Sequence, residues 1–477
     1  MKNKVLLFIV FFSLGIIVTY PAFVPSYVLD GYCTVHNGYN DTINLLIQNG
    51  RVVSAGTFLL FSTLHLPYHS MDFVSLFIAN IFLALAVETL FISIKNKINK
   101  DSMAVNFVLL ICVFCIFYNP LTTEVLLLND VIVVALGILF ITMASTKINN
   151  GGFKNYVLAL LFMFLGILCY YGVACYLIPL IILLQICDKS NTIDTLKKLC
   201  NGFVIYMISF LIVYFVASFF GHLSKYISFD IISNLYYTIT NLIPSSLASL
   251  FNFSNIVVYY LIVTFILCLI IYYITKFSEK KRNVLILSLL LLFTLIMPFI
   301  PNLFITDRID YTAARTTLTI MIIPSILVIY ILSLFNSNIS LLTIVTIFTL
   351  GFNSFFIHQN LILDFDRYKE DIAYIKKIDQ RISWYESENH KKIKTVYYAY
   401  DKSPKYYYSN IENTANVRLS AIDWALDCAF PTYTDNKYTF KKMNSTDYNY
   451  YFNGQEYNKF SEKQLKFEGD TLYLLIY

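Results

Sequence analysis

Charged side chains are scarce enough in the first 356 residues to be weighed one at a time. Asp30 stands in the stretch Pro25-Ser26-Tyr27-Val28-Leu29-Asp30-Gly31, shortly after the first apolar run, and Arg51 follows Gly50. A carboxylate near an acceptor hydroxyl can take its proton. A guanidinium presents a planar fork that meets two phosphate oxygens. Arg308 and Arg315 repeat the second chemistry in a short late segment, with Asp307 and Asp310 close enough in sequence to neutralise them. Glu88, Glu124 and Asp130 lie in or beside apolar runs. A carboxylate is costly there and tends to mark function. Glu124 and Asp130 flank the start of the fourth run, where they share a side with Asp30. Each residue also has a plain reading: a solvated loop charge for Asp30 and Arg51, snorkelling to headgroups for Arg308 and Arg315, and an outward reach for Glu88.

The elements that position these residues follow from hydropathy and charge. The chain has 477 residues, of which 57% are apolar and 14% charged, against about 45–50% and about 25% in soluble domains. Of the 18 Lys and Arg residues before residue 357, 14 fall into five gaps between apolar runs. These are Lys2 and Lys4; Lys95, Lys97 and Lys100; Lys147 and Lys154; Lys189, Lys197 and Lys198; and Lys276, Lys280, Lys281 and Arg282. The other gaps hold only Arg51, Lys225, Arg308 and Arg315. By the positive-inside rule this alternation predicts a polytopic membrane protein with a cytoplasmic N-terminus. Apolar runs near 5–21, 72–94, 103–119, 125–146, 155–170, 173–187, 201–220, 254–275, 283–301, 316–335 and 339–356 predict an all-α bundle of about eleven spans. The run from 157 to 187 is broken at Tyr170-Tyr171-Gly172, and residues 1–20 read as an uncleaved first span. The net charge of +5 belongs to the cytoplasmic gaps and excludes a nucleic-acid role.

Residues 22–70 form a long first external loop. Within it Tyr39, Ile43, Leu46 and Ile47 share one face of an interfacial helix, with Asp41 on the other. From 357 to 477 charge rises to 17 residues of each sign. This stretch reads as a small external α+β domain. It opens with a helix carrying Ile372, Ile375, Ile378 and Ile382 on one face, and strands follow at 395–401, 436–440 and 471–477. Cys112 and Cys115 read as core thiols. Cys33 and Cys428 are both external, but two cysteines are not a disulfide framework, and the expectation is that they stay unpaired.

The order of features resembles a known family. Asp30-Gly31-Tyr32 after a first span, Gly50-Arg51 after an amphipathic stretch, Tyr118-Asn119-Pro120 with Glu124, Gly166 to Gly172, and Arg308 to Arg315 before an external tail together look like the GT-C class of polyprenyl-phosphate-dependent glycosyltransferases. Within it the chain most resembles the Gtr type-II O-antigen glucosyltransferases of serotype conversion. The likeness spans most of residues 1–356. Such enzymes often carry two adjacent acidic residues in the first loop, whereas here Asp30 is followed by Gly31.

The resemblance implies an enzyme of the bacterial inner membrane with its C-terminal domain in the periplasm. It would move glucose from an undecaprenyl-phosphate carrier to a lipid-linked O-antigen, with membrane lipids around it and inversion at the anomeric carbon. Asp30 is then the general base. Arg51, Arg308, Arg315, Tyr32 and Glu124 bind substrate and phosphate. No cofactor is required, although the chemistry leaves room for a divalent metal ion beside Asp30. The rival readings are an O-antigen polymerase or ligase, and a polysaccharide or lipid transporter or flippase. A flippase wants charges deep in its spans, which this chain lacks. A polymerase wants its long loops mid-chain.

Overall fold

The computed structural model describes residues 2–24, 26, 29–48, 51–98, 102–127, 130–188, 192–220, 230–244, 264, 292–294, 296–304, 319, 322–334, 339–400, 423–435, 437–455, 457 and 460–476. The chain is mostly helical, with one small sheet near its end. It divides into two compact units: Met1–Phe23 with Ile43–Asn360, and Val24–Thr42 with Leu361–Tyr477.

In the first unit lie α1 (Lys2–Thr19), α4 (Val52–Thr63), α5 (Tyr68–Ile98), α6 (Met103–Phe117), α7 (Thr122–Leu126), α8 (Val131–Asn150), α9 (Phe153–Cys169), α10 (Leu177–Cys187), α11 (Thr192–Phe220), α12 (Ile231–Tyr237) and α13 (Ile323–Leu334). The second unit begins with α2 (Leu29–Asn37), and α3 (Tyr39–Gln48) runs from it into the first. Among the described residues, five helices are long and apolar enough to cross a membrane: Lys4–Phe23, Tyr68–Ile98, Val131–Asn150, Ile193–Val213 and Ser340–Asn389. Shorter apolar helices accompany them at Val52–Thr63, Met103–Phe117, Phe153–Cys169, Tyr171–Cys187 and Ile323–Ser333. Of the predicted span at 254–275 only residue 264 is described, and of that at 283–301 residues 292–294 and 296–301 are, with 297–301 in a short 3-10 helix over Met297–Phe304.

α8 is the hub of this unit and packs on α5, α9 and α10. Every residue of α10 is buried, as expected for a helix apolar on all sides. The α8–α9 contact is close because both helices offer glycine: a methyl on Gly137 would stand 3.2 Å from the Gly166 carbonyl oxygen. Two of the lysine-bearing gaps converge. Lys97 near the end of α5 lies 2.7 Å from Asp188, just past α10, and Lys198 of α11 lies 3.8 Å from the same carboxylate. The break in the 157–187 run falls where the sequence placed it, with α9 ending at Cys169 and a tight helical turn over Tyr171–Tyr176.

Two boundaries differ from the sequence reading. Residues 22–70 are not one loop. α4, Val-Val-Ser-Ala-Gly-Thr-Phe-Leu-Leu-Phe-Ser-Thr, is an apolar helix of the first unit that packs on α8 and α9. Its 12 residues fall short of the ~20 that a span needs, so a search for spans passes over it. Nor does the last span stop at 356. α14 (Ile339–Asn389) is one helix of 51 residues that continues into the second unit. At 1.5 Å per residue it is ~75 Å long, more than twice the ~30 Å of a bilayer's hydrocarbon core. Only its apolar first third, to about residue 356, is therefore suited to lipid, and the part beyond carries the charge.

The second unit completes itself with β1 (Thr395–Tyr400), α15 (Asp423–Tyr433), β2 (Thr439–Lys442), α16 (Ser445–Phe452), β3 (Leu465–Glu468) and β4 (Thr471–Ile476). The sheet order is β2-β1-β4-β3, with β1 parallel to β2 and β4, and β3 antiparallel to β4. Alternation along β1 sends Val396 and Tyr398 into the core, where Tyr398 and Phe430 of α15 both stack on Phe440. Tyr397 and Ala399 take the other face, over Met443, Phe452 and Leu475. The strands expected at 395–401 and 471–477 are present, and the one expected at 436–440 lies later, at Thr439–Lys442. β3 was missed because Leu-Lys-Phe-Glu is too short to signal alone.

Candidate functional site

Arg51 caps the start of α4. Its N–H donates to the Leu46 carbonyl (2.8 Å), and its own carbonyl accepts from Ala55 (2.9 Å). Its guanidinium is gripped from two sides. One nitrogen lies 3.6 Å from Asp130 Oδ2, and Cζ sits 5.2 Å above the Tyr170 ring. Such a cation–π contact adds ~0.5–2 kcal/mol, depending on solvent access. Ser54, one turn into α4, donates its hydroxyl to the same Asp130 oxygen at 3.0 Å.

Asp130 is well placed to hold a cation. It stands at the N-terminus of α8, where unbonded backbone N–H groups favour negative charge, and its carbonyl accepts from Val133 and Val134. Its side chain is buried (7% exposed), while Arg51 keeps 27% of its own exposed. Tyr170 arrives because α9 ends there in an extended residue (φ −159°) and because the two glycines bring α9 against α8. The Arg51 cluster thus lies at the ends of α8 and α9 away from Lys147 and Lys154. Chemically it is an immobilised, partly exposed guanidinium, a group suited to an oxyanion.

The Tyr118-Asn119-Pro120 turn precedes α7 and is fixed by its own hydrogen bonds. Asn119 Oδ1 accepts from the Leu121 N–H (3.1 Å), and the Thr122 hydroxyl donates to the Phe117 carbonyl (2.9 Å). The Tyr118 hydroxyl donates to Asn80 (3.0 Å), which donates to Thr19 (3.1 Å), and Asn353 donates to the Tyr118 carbonyl (3.0 Å). Four helices of the apolar interior, α1, α5, α6 and α14, are joined through these buried polar groups. Gly15 makes this possible, since a methyl there would collide with the Tyr118 hydroxyl. The turn leads into α7, which carries Glu124, and on to Asp130.

Asp30 and Tyr32 belong to α2, in the second unit. Tyr32 has no exposed surface. Its ring lies 6.4 Å from that of Tyr368 and 6.0 Å from that of Tyr433, and the Tyr433 hydroxyl donates to Tyr368. A substrate would reach Tyr32 only by displacing those rings. Burial, then the Asp371 carboxylate, pushes its phenol well above the usual value, so it stays neutral. Nearby is Arg367, also without exposed surface, 3.0 Å from Asp364 and 3.9 Å from Asp371. Ser26 donates to the other Asp364 oxygen at 3.2 Å. Burial raises the Asp364 carboxyl to about 6, with Arg367 pulling the other way.

Against the expectation that they stay unpaired, Cys33 and Cys428 form a disulfide, with Cα atoms 4.8 Å apart. The reason is tertiary: α2 packs on α15, which brings together residues 395 apart in the chain. Cys112 and Cys115 are buried thiols.

Of the residues chosen from sequence, Arg51 is brought to Asp130, while Asp30 and Tyr32 share a helix. Arg308 and Arg315 lie outside the described residues, and Asp41 is exposed on α3. Ser54 and Arg367 were missed. Arg367 carried a readable signal, with Asp364 three residues before it and Asp371 four after, a spacing that puts all three on one helix face. Among the described residues no three His, Cys, Asp or Glu side chains are grouped to hold a metal ion. No family model, no curated protein and no solved structure matches the chain.

Proposed function

We propose that this chain is an integral-membrane glycosyltransferase, moving a glucosyl residue from undecaprenyl-phosphate-glucose to a lipid-linked O-antigen or related surface polysaccharide. The observation that carries this reading is Arg51, pinned by Asp130 and Tyr170 yet partly exposed, at the ends of α8 and α9 remote from the lysines. An arginine held at that end of an apolar bundle suits a phosphate at headgroup depth. In the reaction the acceptor hydroxyl oxygen bonds to the anomeric carbon as the bond from that carbon to the phosphate oxygen breaks. The hydroxyl proton passes to a carboxylate, assigned to Asp30. The departing phosphate is a good leaving group and needs no acid, only cations to hold its charge. Arg51 supplies one, and Arg308 and Arg315 are its sequence-chosen companions. A single displacement inverts the anomeric centre.

The topology that goes with this reading has about eleven spans, a cytoplasmic N-terminus and an external C-terminal unit. The Cys33–Cys428 disulfide favours it in two ways. Disulfides persist in oxidising compartments, and a bond between the first loop and the tail requires an even number of crossings between them.

The test is transfer in membranes supplied with undecaprenyl-phosphate-glucose and glycan acceptor. Arg51→Glu is expected to lower transfer ~100- to 1,000-fold, the usual loss on removing a transition-state charge contact, with Arg51→Lys intermediate because it loses the fork. Wild-type transfer by Arg51→Glu would remove Arg51 from the site and leave Arg308 and Arg315 to hold the phosphate.

A further inference from the structure

We propose that the C-terminal unit is a positioning clamp for the helix that carries Asp30, built from the Cys33–Cys428 disulfide and the buried Arg367 cluster. The inference rests on the reading of Asp30 as the base. α2 has nine residues. Helices that short do not hold their shape alone in water, so its geometry must come from what it packs on. The fastening is threefold. Cys33, one turn after Asp30, is bonded to Cys428 of α15. Tyr32 is buried between Tyr368 of α14 and Tyr433 of α15. Just ahead of the helix, Ser26 donates to Asp364, which is held in turn by Arg367.

All of these partners come from beyond residue 360, yet they converge on a segment only 19 residues long, Val24–Thr42. That segment belongs by sequence to the first loop and by packing to the tail. A tail that served only as an appendage would have no need to enclose it. Cys33, Cys428 and Arg367 act through the helix and not on substrate, so they are positioning residues.

The experiment uses the full-length chain in membranes. The double variant Cys33→Ser/Cys428→Ser is compared with wild type, before and after dithiothreitol, by initial-rate kinetics on the lipid-linked glucose donor. Hydrogen exchange of peptides covering residues 29–37 is followed in parallel. The expected result is a ~10- to 100-fold fall in kcat, the scale of a base displaced by about 1 Å, with donor KM changed less than about twofold because donor binding is untouched. Dithiothreitol should reproduce the loss in wild type, reoxidation should reverse it, and the double variant should ignore the reagent. Exchange in 29–37 should quicken in step.

Wild-type kcat in the double variant, or unchanged exchange after reduction, overturns the clamp. The base assignment is read separately from Asp30→Asn. If that variant is inactive while the double variant is normal, the clamp alone fails. If Asp30→Asn transfers normally, the base assignment falls and takes the clamp with it.

Discussion

Replacing Arg367 by Met removes a charge and keeps most of a long apolar stem. Arg367 is fully buried beside Asp364 and Asp371, and the variant leaves both carboxylates without it. Deleting one partner of a buried pair costs ~3–5 kcal/mol. The structure sets a ceiling on the Asp364 share. Burial already holds that carboxyl at about 6 against the pull of Arg367, so without Arg367 it rises further, and full protonation at pH 7 is the limit of that rise. Protonating an acid with an unfolded value of 3.8 at pH 7 costs ~4 kcal/mol in all, of which ~3 kcal/mol is already present in wild type, so the titration of Asp364 adds at most ~1 kcal/mol to the loss. The pH dependence has a definite sign. A carboxyl raised on folding contributes stability that is complete below 3.8 and lost as pH rises through its folded value. In wild type that loss runs from about pH 4 to about pH 6 and amounts to ~3 kcal/mol. In Arg367→Met it continues to higher pH, so the gap between the two proteins widens from acid to neutral. The chain has two tryptophans, Trp384 and Trp424, and both belong to the second unit. Tryptophan fluorescence during urea unfolding in detergent therefore reports this unit by itself. A loss under ~1 kcal/mol at pH 7, or a gap that does not shrink in acid, would refute the account of a buried charge cluster.

Two further outcomes are expected. Asp30→Asn should lower transfer ~100- to 10,000-fold, the worth of a general base, while Asp41→Asn, which removes an exposed charge from α3, should transfer within about twofold of wild type. Equal losses in the two variants would point to loop charge and not to a base. A phosphatase reporter fused after Tyr477 should be active only if the tail is external. Activity confined to cytoplasmic reporters would reverse the orientation, and with it the side on which the Cys33–Cys428 bond forms.

What the sequence determined by itself is local. Hydropathy located α5, α6, α8 and α11 because a helix of the right length needs only its own residues to be apolar. Alternation marked β1 and β4 because successive side chains on a strand face opposite ways. The break at Tyr170-Tyr171-Gly172 is a property of three neighbours. Tertiary structure decided which distant residues meet. Arg51 and Asp130 are 79 positions apart, and nothing near either names the other. They pair because α4 packs on α8 and α9, whose close approach depends on Gly137 and Gly166. The same limit hid the disulfide. Cys33 and Cys428 looked unrelated because the segment between Val24 and Thr42 joins the tail through tertiary packing, that of α2 on α15 bringing the two sulfurs together. It also hid the true length of α14. Its apolar start and charged end read as two elements, since composition changes at residue 357 while backbone hydrogen bonding does not.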